Sequence, residues 1–223
     1  MDVYEAMRSR HSVRQYVDKP LSGEIVTRLR EEIDACNSEG GLHMQLVTEE
    51  PAAFSGGLAK YGRFSGVRNY IAVVGEKSDA LDEKAGYYGE RVVLLAQMLG
   101  LNTCWVALTF SKRKAHIDVG PGEKLALVIA LGYGATQGVA HKDKPMEKLC
   151  RVQGEMPDWF RQGMEYAMLA PTATNQQKFM LTLEKENTVR AQALRGPYAK
   201  LDLGIVKYHF ELGAGKENFT WAQ

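Results

Sequence analysis

The sequence predicts an α+β or α/β sandwich, because strand-like and helix-like segments alternate along the chain. Residues 70–74 and 125–131 are solid apolar runs of the kind found in central strands. Residues 81–99 have the length and pattern of a long helix, and Gly100 follows as a stop signal. These segments indicate a layered fold with a buried sheet.

The other elements follow from the same periodicities. Ser22 is a plausible N-cap for a helix whose apolar stripe continues until Gly40. Alternating polarity over 42–46 indicates a half-buried strand. We expect further helices over 3–8, 159–169 and 201–212, and further strands over 103–107 and 179–183.

The composition is that of an ordinary globular chain. Its 223 residues are 45% hydrophobic, enough to bury roughly 70% of the surface that the unfolded chain exposes. Because 28 basic residues balance 27 acidic ones, the net charge of +1 argues against a nucleic-acid partner. The longest apolar run is too short to span a membrane, and the N-terminus has no apolar leader. Three dispersed cysteines fit a reducing compartment, so we expect a cytoplasmic protein without a membrane partner.

The pattern of the first 150 residues partly starts again after residue 150. Helix, turn, strand and helix follow one another over 159–212, and Gly213 and Gly215 come next. Gly204 can be laid over Gly89, and residues 219–221 over 103–105. These matches predict a partial internal repeat.

Two basic clusters are candidates for binding an anion. In an extended segment Arg10, Ser12 and Arg14 share one face, and paired guanidinium donors around a hydroxyl suit a phosphate. Lys142 and Lys144 share a face in the same way after a predicted central strand. Each cluster taken alone is more often a solvated basic turn or loop. Together, the two clusters can converge on one phosphate.

Two further segments carry residues suited to chemistry. The small residues and amides of 170–177 can approach a flat polar ring, although such a stretch is also an ordinary turn before a strand. Cys104 beside Trp105 is a conceivable nucleophile, but a cysteine in such a strand is more often part of the core. The five histidines show no ligand spacing, so we expect no metal site.

Four motifs together resemble the nitroreductase family of FMN-dependent oxidoreductases. Residues 10–16, Arg-His-Ser-Val-Arg-Gln-Tyr, resemble the N-terminal signature of that family. Residues 170–177 look like its Pro-Ser-x-x-Asn-x-Gln segment, and residues 100–105 resemble its Gly-Leu-Gly-Thr-x-Trp stretch. Residues 131–133 followed by 142–145 are similar to its closing phosphate-binding strand and loop. The chain resembles most closely an internally duplicated, TM-nitroreductase-like branch.

The resemblance implies an α+β three-layer sandwich with a central, mostly antiparallel sheet. The order of motifs departs from the family, in which the Asn-containing segment follows the second helix and, in homodimers, covers the flavin of the other subunit. Here residues 37–41 stand at that point. We therefore expect an intrachain pseudo-dimer, in which 1–150 form a nitroreductase-like FMN-binding unit and 151–223 a partial repeat that completes the flavin pocket. A monomer with one FMN is then favoured over a homodimer.

Site roles follow from the resemblance, residue by residue. Arg10 and Ser12, with Lys142 and Lys144, are expected to bind the FMN phosphate, and His11 to lie near the ribityl chain. Arg14 is expected at the pyrimidine edge, where a cation stabilises charge that develops on the flavin during reduction. The remaining expected contacts of the ring are Trp105, Val106, Ala107, Leu108, Pro171, Thr172, Ala173 and Asn175. The mid-domain Asn and Lys of the family have no clear match here, and Lys60, Tyr61 and Arg63 are the nearest candidates.

The activity implied is a ping-pong reaction in which NAD(P)H reduces the flavin and a small oxidised acceptor reoxidises it. Nitroaromatics and quinones are candidate acceptors. No catalytic side chain is assigned, because the cofactor performs the redox chemistry. Three alternatives stay open: a flavin-binding sensor or carrier without nicotinamide turnover, an oxygen-using relative that fragments flavin or dehalogenates, and a phosphate-binding module without flavin.

Overall fold

A computed structural model describes residues 1–222 of the chain as an α+β protein. Its helices are α1 (Val3–Ser9), α2 (Gly23–Gly40), α3 (Gly57–Tyr61), α4 (Leu81–Met98), α5 (Asp158–Ala167) and α6 (Ala199–Ala214). Its strands are β1 (Gln45–Val47), β2 (Asn69–Glu76), β3 (Asn102–Val106), β4 (Glu123–Gly132), β5 (Cys150–Arg151), β6 (Phe179–Leu183), β7 (Thr188–Ala193) and β8 (Thr220–Trp221).

Local sequence signals explain where the first helices begin and end. Asp2 and Glu5 form a reciprocal capping box at the start of α1, in which each side chain accepts a backbone N–H. The Ser22 side chain accepts the Ile25 N–H at 3.3 Å and so caps α2, as the sequence predicts. Gly41 ends α2 at a φ of 61°, a left-handed conformation that glycine adopts without steric cost.

Contacts divide the chain into two compact units. The first unit consists of residues 1–81 and 91–140, and the second consists of residues 82–90 and 141–223. Nine residues of α4 belong to the second unit. The functional division into 1–150 and 151–223 stays a prediction.

The first unit is built on a four-stranded antiparallel sheet in the order β1-β2-β4-β3. Its central strands, β2 and β4, are the two apolar runs that the sequence singles out, and residues 70–74 and 128–131 are almost completely buried. One face of this sheet packs on an apolar cluster that includes Val13, Phe54, Phe64, Tyr70, Cys104, Val106 and Phe110. The burial of Cys104 confirms that its thiol belongs to the core.

The second unit packs α5, α6 and residues 82–90 with a mixed sheet in the order β5-β6-β7-β8. Strands β6 and β7 are antiparallel, whereas β7 and β8 are parallel neighbours. The buried His209 in α6 contacts the buried Glu90 at 2.9 Å through Nε2, and its Nδ1 contacts the Tyr166 carbonyl oxygen at 3.1 Å. Because a carbonyl oxygen only accepts hydrogen bonds, Nδ1 of His209 is the donor to Tyr166.

Helices and strands predicted by periodicity are found close to their predicted bounds, but four elements were not predicted. Strand β7 was missed because its residues alternate between small and polar types instead of forming an apolar run. Helix α3 is only five residues long, and β5 and β8 only two each, so none of them has a period to detect. Within residues 1–222, no helix combines the length and hydrophobicity needed to cross a membrane.

Candidate functional site

The Arg10–Arg14 segment is fixed to the edge of the first unit's sheet. Ser12 forms a parallel bridge with Thr103 of β3, and the Val13 N–H donates to the Thr103 carbonyl at 3.0 Å. Val13 points into the core, while the buried Tyr16 donates its hydroxyl to the Val13 carbonyl at 2.7 Å. The segment is therefore extended and anchored, so side chains at alternate positions project to the same side.

The three polar residues of this segment gather around one buried thiol. Burial raises the pKa of Cys104, while Arg14, a hydrogen bond from Ser12, and Arg10 act in the opposite direction. Arg10 is 3% exposed at the end of α1, whereas Ser12 and Arg14 are exposed to solvent. Thr103 pairs with Ser12 in the parallel bridge. Its hydroxyl is buried and has no hydrogen-bond partner within residues 1–222. This combination of donors beside β3 suits an anionic ligand.

The turn after β4 lies against the same segment. The Ala135 N–H donates to the Gln15 carbonyl at 2.8 Å, and the Val17 N–H donates to the Tyr133 carbonyl at 2.9 Å. Gly138 has a φ of 72°, and a Cβ there would lie 2.7 Å from the half-buried His11. A glycine at this position thus lets the turn approach His11 closely.

Residues 105–108 carry the chain from β3 to the surface. Val106, the last residue of β3, is buried, and Trp105 and Ala107 are half-buried. Leu108 is 71% exposed. These residues belong to the same unit as Arg10, His11, Ser12 and Arg14.

The second unit brings two of the predicted motifs together. The Lys142 carbonyl accepts hydrogen bonds from Asn175 Nδ2 and Gln177 Nε2, each at 2.8 Å. Lys144 Nζ donates to the carbonyls of Gln176 at 2.6 Å and Gln177 at 3.0 Å. The Lys144 ammonium therefore has one N–H left for a ligand, whereas the Lys142 side chain is exposed.

The segment 172–177 has an unusual backbone. Thr174, Asn175 and Gln177 have φ angles of 51°, 56° and 45°, in the left-handed region that residues with a Cβ seldom adopt. The hydroxyl of Thr172 accepts the Gln177 N–H at 3.0 Å and closes the segment on itself. A left-handed threonine requires support from its surroundings, and such backbone strain is typical of functional segments.

Asp202 supplies much of that support. Its carboxylate accepts the Ala173 N–H at 3.0 Å and Gln176 Nε2 at 2.8 Å. Burial in α6 raises the pKa of this carboxyl to about 6, against the two hydrogen bonds, which lower it. Pro171, Thr172 and Ala173 are half-buried, and Asn175 is exposed.

Sequence reasoning missed Asp202 and Gln177. The signal for Asp202 was present, because it is a single acid between Leu201 and Leu203 in an apolar stretch of helix. Gln177 was part of the predicted motif but had no assigned role. In the structure it is 2% exposed and joins the 142–144 loop to the 172–177 segment.

Comparison with known proteins identifies the fold. The fold is that of nitroreductases: a Thermotoga maritima protein described as a putative nitroreductase superposes with a TM-score of 0.66 at 22% identity, over 97% of this chain and 85% of that one. A putative nitroreductase of Desulfovibrio desulfuricans, solved in complex with FMN, gives 0.52 at 19% identity, over 70% of this chain and 99% of that one. A Parabacteroides distasonis protein described as a putative NADH dehydrogenase/NAD(P)H nitroreductase gives 0.53 at 20% identity, over 66% and 95%.

The family itself follows from the sequence match. The family model described as "Putative TM nitroreductase" matches residues 2–214. The chain belongs to this nitroreductase family, which confirms the resemblance drawn from the motifs. No curated protein matches the chain.

Proposed function

We propose that the protein is an FMN-dependent oxidoreductase that passes a hydride from NAD(P)H through the flavin to a small oxidised acceptor, by a ping-pong mechanism. The observation that carries this proposal is the Arg10–Ser12–Arg14 segment, anchored on β3 in a member of the nitroreductase family. The FMN complex of the Desulfovibrio relative and the NAD(P)H nitroreductase description of the Parabacteroides relative support the choice of cofactor and donor.

The residues of the first unit fit an FMN phosphate. Arg10 is an almost fully buried cation, and Ser12 and the unsatisfied Thr103 hydroxyl add neutral donors at the same edge of the sheet. Hydrogen bonds from these groups to a dianionic phosphate are charge-assisted and therefore stronger than hydrogen bonds between neutral groups. When bound, FMN supplies the hydride-accepting and hydride-donating chemistry of the reaction.

Arg14 has the role of an electrostatic stabiliser in this proposal. Its side chain is exposed, and its guanidinium carbon lies 6.0 Å from the centre of the Phe64 ring. Stacking on an aromatic face keeps a planar cation in place without neutralising it. An arginine held in this way lowers the free energy of a bound ring system that becomes negatively charged.

We also propose that Lys142, Lys144 and the Pro171–Asn175 stretch contribute to FMN binding. The support is their resemblance to two motifs of the family and the network of hydrogen bonds that ties the two segments together. In this network the exposed Lys142 side chain and the remaining N–H of the Lys144 ammonium are the groups available to a ligand.

A monomeric pseudo-dimer is the assembly we propose, and a helix crossing supports it. A Cβ at Gly86 would meet the Leu201 carbonyl and come within 3.1 Å of the Ile205 nitrogen. Reciprocally, a Cβ at Gly204 would meet the Glu83 carbonyl and come within 2.7 Å of the Tyr87 nitrogen. Equivalent positions are thus 118 residues apart, a reciprocal pattern typical of two-fold contacts between identical subunits. In this contact Gly204 is the counterpart of Gly86, which lies three residues before Gly89, the residue that the sequence comparison placed opposite Gly204.

Strand order in the two units supports the same proposal. In the first unit β2 and β3 are both antiparallel to β4, which lies between them. In the second unit β7 and β8 are parallel and directly adjacent. Strands β6, β7 and β8 therefore have the arrangement of β1, β2 and β3 with the strand equivalent to β4 left out, whereas the two-residue β5 has no counterpart in the first sheet.

The test is a visible absorption spectrum of the purified protein before and after anaerobic addition of NADPH or NADH. We expect a flavin spectrum that bleaches with the donor and returns when a quinone or nitroaromatic is added. A flavin spectrum that neither donor bleaches would contradict the oxidoreductase and favour a sensor or carrier. A protein that takes up no FMN would refute the cofactor, and recovery of colour only with oxygen would point to an oxygen-using relative.

A further inference from the structure

Two surface segments of the first unit form a single basic and apolar surface. The first segment, 57–63, contains α3 and the turn after it, and the second, 107–115, follows β3. Both cover the same buried aromatic cluster, in which Phe54 lies 5.3 Å from Phe64 and 6.0 Å from Phe110 between ring centres. The Ser111 N–H also donates to the Ala53 carbonyl at 2.8 Å, which joins the loop to the single helical turn that precedes α3.

This surface concentrates positive charge in a chain that is otherwise acidic. Its exposed cations are Lys60, Arg63, Lys112, Arg113 and Lys114. No Asp or Glu occurs in 51–67 or in 107–117, so these stretches carry five positive charges, whereas the whole chain has a net charge of +1. Within residues 1–222 none of the five forms an ion pair. Their charge is therefore available to an anionic ligand.

Apolar side chains stand among these cations. Tyr61 is 86% exposed, Leu108 71% and Leu58 56%. A large aromatic side chain with almost all of its surface in water provides a face on which a flat ring can stack, and neighbouring cations attract phosphates attached to that ring.

The surface adjoins residues that the proposed function places at the flavin. Leu108 belongs to both, and the guanidinium carbon of Arg14 lies 6.0 Å from the centre of the Phe64 ring. Ser65 follows the 57–63 segment by two residues, and its N–H donates to the Arg14 carbonyl at 3.0 Å, which connects the chain leaving this segment to the Arg10–Arg14 segment. A donor that reaches the flavin past Leu108 would extend its remaining groups over these cations.

We propose that this basic surface binds the adenosine phosphates of the dinucleotide donor and selects NADPH over NADH. The inference rests on the proposed function, because it names the donor of that reaction. NADPH and NADH share a pyrophosphate, but only NADPH carries a 2′-phosphate, which adds about two negative charges. Clustered Arg and Lys side chains are the groups that accommodate this phosphate in dinucleotide-binding proteins, and Tyr61 offers its ring to the adenine.

The test compares two triple variants of the FMN-loaded protein. The first is Lys112→Gln/Arg113→Gln/Lys114→Gln. The control is Arg28→Gln/Arg30→Gln/Lys77→Gln, which removes three exposed cations of the same unit outside the basic surface. For each protein we would measure kcat/KM with NADPH and NADH, and titrate 2′,5′-ADP calorimetrically as a probe that binds without turnover.

We expect wild type and control to prefer NADPH at least tenfold and to bind 2′,5′-ADP. In the first variant the preference should fall at least fivefold through KM, and 2′,5′-ADP should bind at least tenfold more weakly. A wild type that prefers NADH, or identical behaviour of the two variants, would overturn the inference. If neither donor reduces the flavin, the proposed function fails, and the 2′,5′-ADP titration then tests the basic surface on its own. Binding of 2′,5′-ADP that is lost only in the first variant supports the proposed binding surface. No binding of 2′,5′-ADP by the wild type refutes it and favours another anionic partner, such as an acidic protein.

Discussion

Asp202 shows how one buried side chain links stability to the strained segment. Its carboxyl group is 2% exposed, and its pKa is raised to about 6 because burial disfavours the charge. At neutral pH the group is therefore held ionised at a cost, and the N–H groups of Ala173 and Gln176 offset part of that cost. The same two hydrogen bonds orient the backbone of 172–177.

We predict that Asp202→Asn removes a pH dependence of stability. A raised pKa means that the folded state prefers the neutral carboxyl. The stabilisation that the Asp202 carboxyl contributes is therefore complete below the ordinary pKa near 4 and is lost as the pH rises through about 6. Relative to the variant, the wild type should lose roughly 2–3 kcal/mol of unfolding free energy between about pH 4 and pH 8. Urea unfolding at several pH values measures this difference. The exposed Asp79→Asn is the control, and a constant difference between wild type and Asp202→Asn would contradict the prediction.

Arg10 is the residue whose removal tests the phosphate site most directly. We predict that Arg10→Ala weakens FMN binding by roughly 1.5–3 kcal/mol, or about 10- to 150-fold, through the loss of a charge-assisted hydrogen bond. Riboflavin lacks the phosphate, so its affinity should change much less. Quenching of flavin fluorescence on titration with apoprotein measures both affinities.

Two comparisons make the Arg10 result interpretable. Arg28→Ala removes an exposed cation far from this segment in sequence and should leave both affinities unchanged. If Arg10→Ala lowered the affinities for FMN and riboflavin equally, the arginine would be supporting the fold of the segment instead of binding the phosphate.

At the scale of elements, the crossing of 83–87 with 201–205 fixes the second unit. Two glycines allow the backbones to approach so closely that a Cβ on either would meet a carbonyl oxygen of the other helix. Strand pairing alone would not specify this contact, because it depends on two small residues at reciprocal positions. Lys207 and Glu83 add an ion pair of 2.6 Å beside the crossing.

We predict that Gly204→Ala destabilises the protein by roughly 1–3 kcal/mol, because the new methyl group meets backbone that cannot rotate away. Chemical denaturation measures the change. Gly57→Ala is the matched control, since nothing lies within 4 Å of its Cβ position in α3, and alanine there should be neutral or stabilise by up to about 1 kcal/mol. Equal effects of the two substitutions would show that the close crossing does not form.

At the scale of the whole molecule, the proposed pseudo-dimer makes a quantitative prediction about stoichiometry. Native mass spectrometry of the purified protein should detect one chain with one FMN, because only the first unit contains an Arg-x-Ser-x-Arg segment. A homodimer carrying two FMN molecules would contradict the pseudo-dimer while leaving the choice of cofactor intact.

Most of the fold could be predicted from hydrophobic periodicity. The apolar runs of β2 and β4, the capped start of α2, and the glycine after α4 are local signals, and the structure has these elements within a few residues of the predicted bounds. Helix α3 and strand β7 were beyond this reasoning. Their stability comes from packing and from pairing with partners distant in sequence, which leave no period in the segment itself.

By itself, the sequence determined the α+β class, the family and the residue types of the candidate site, because each of these follows from local patterns of a few neighbouring residues. The tertiary structure alone decided that Asp202 supports the 172–177 segment, that Gln177 joins it to Lys142 and Lys144, and that Gly86 is the counterpart of Gly204. It also decided that residues 57–63 and 107–115 share one basic surface. Each of these depends on residues that lie from about 30 to more than 100 positions apart in the sequence and meet only when the chain has folded.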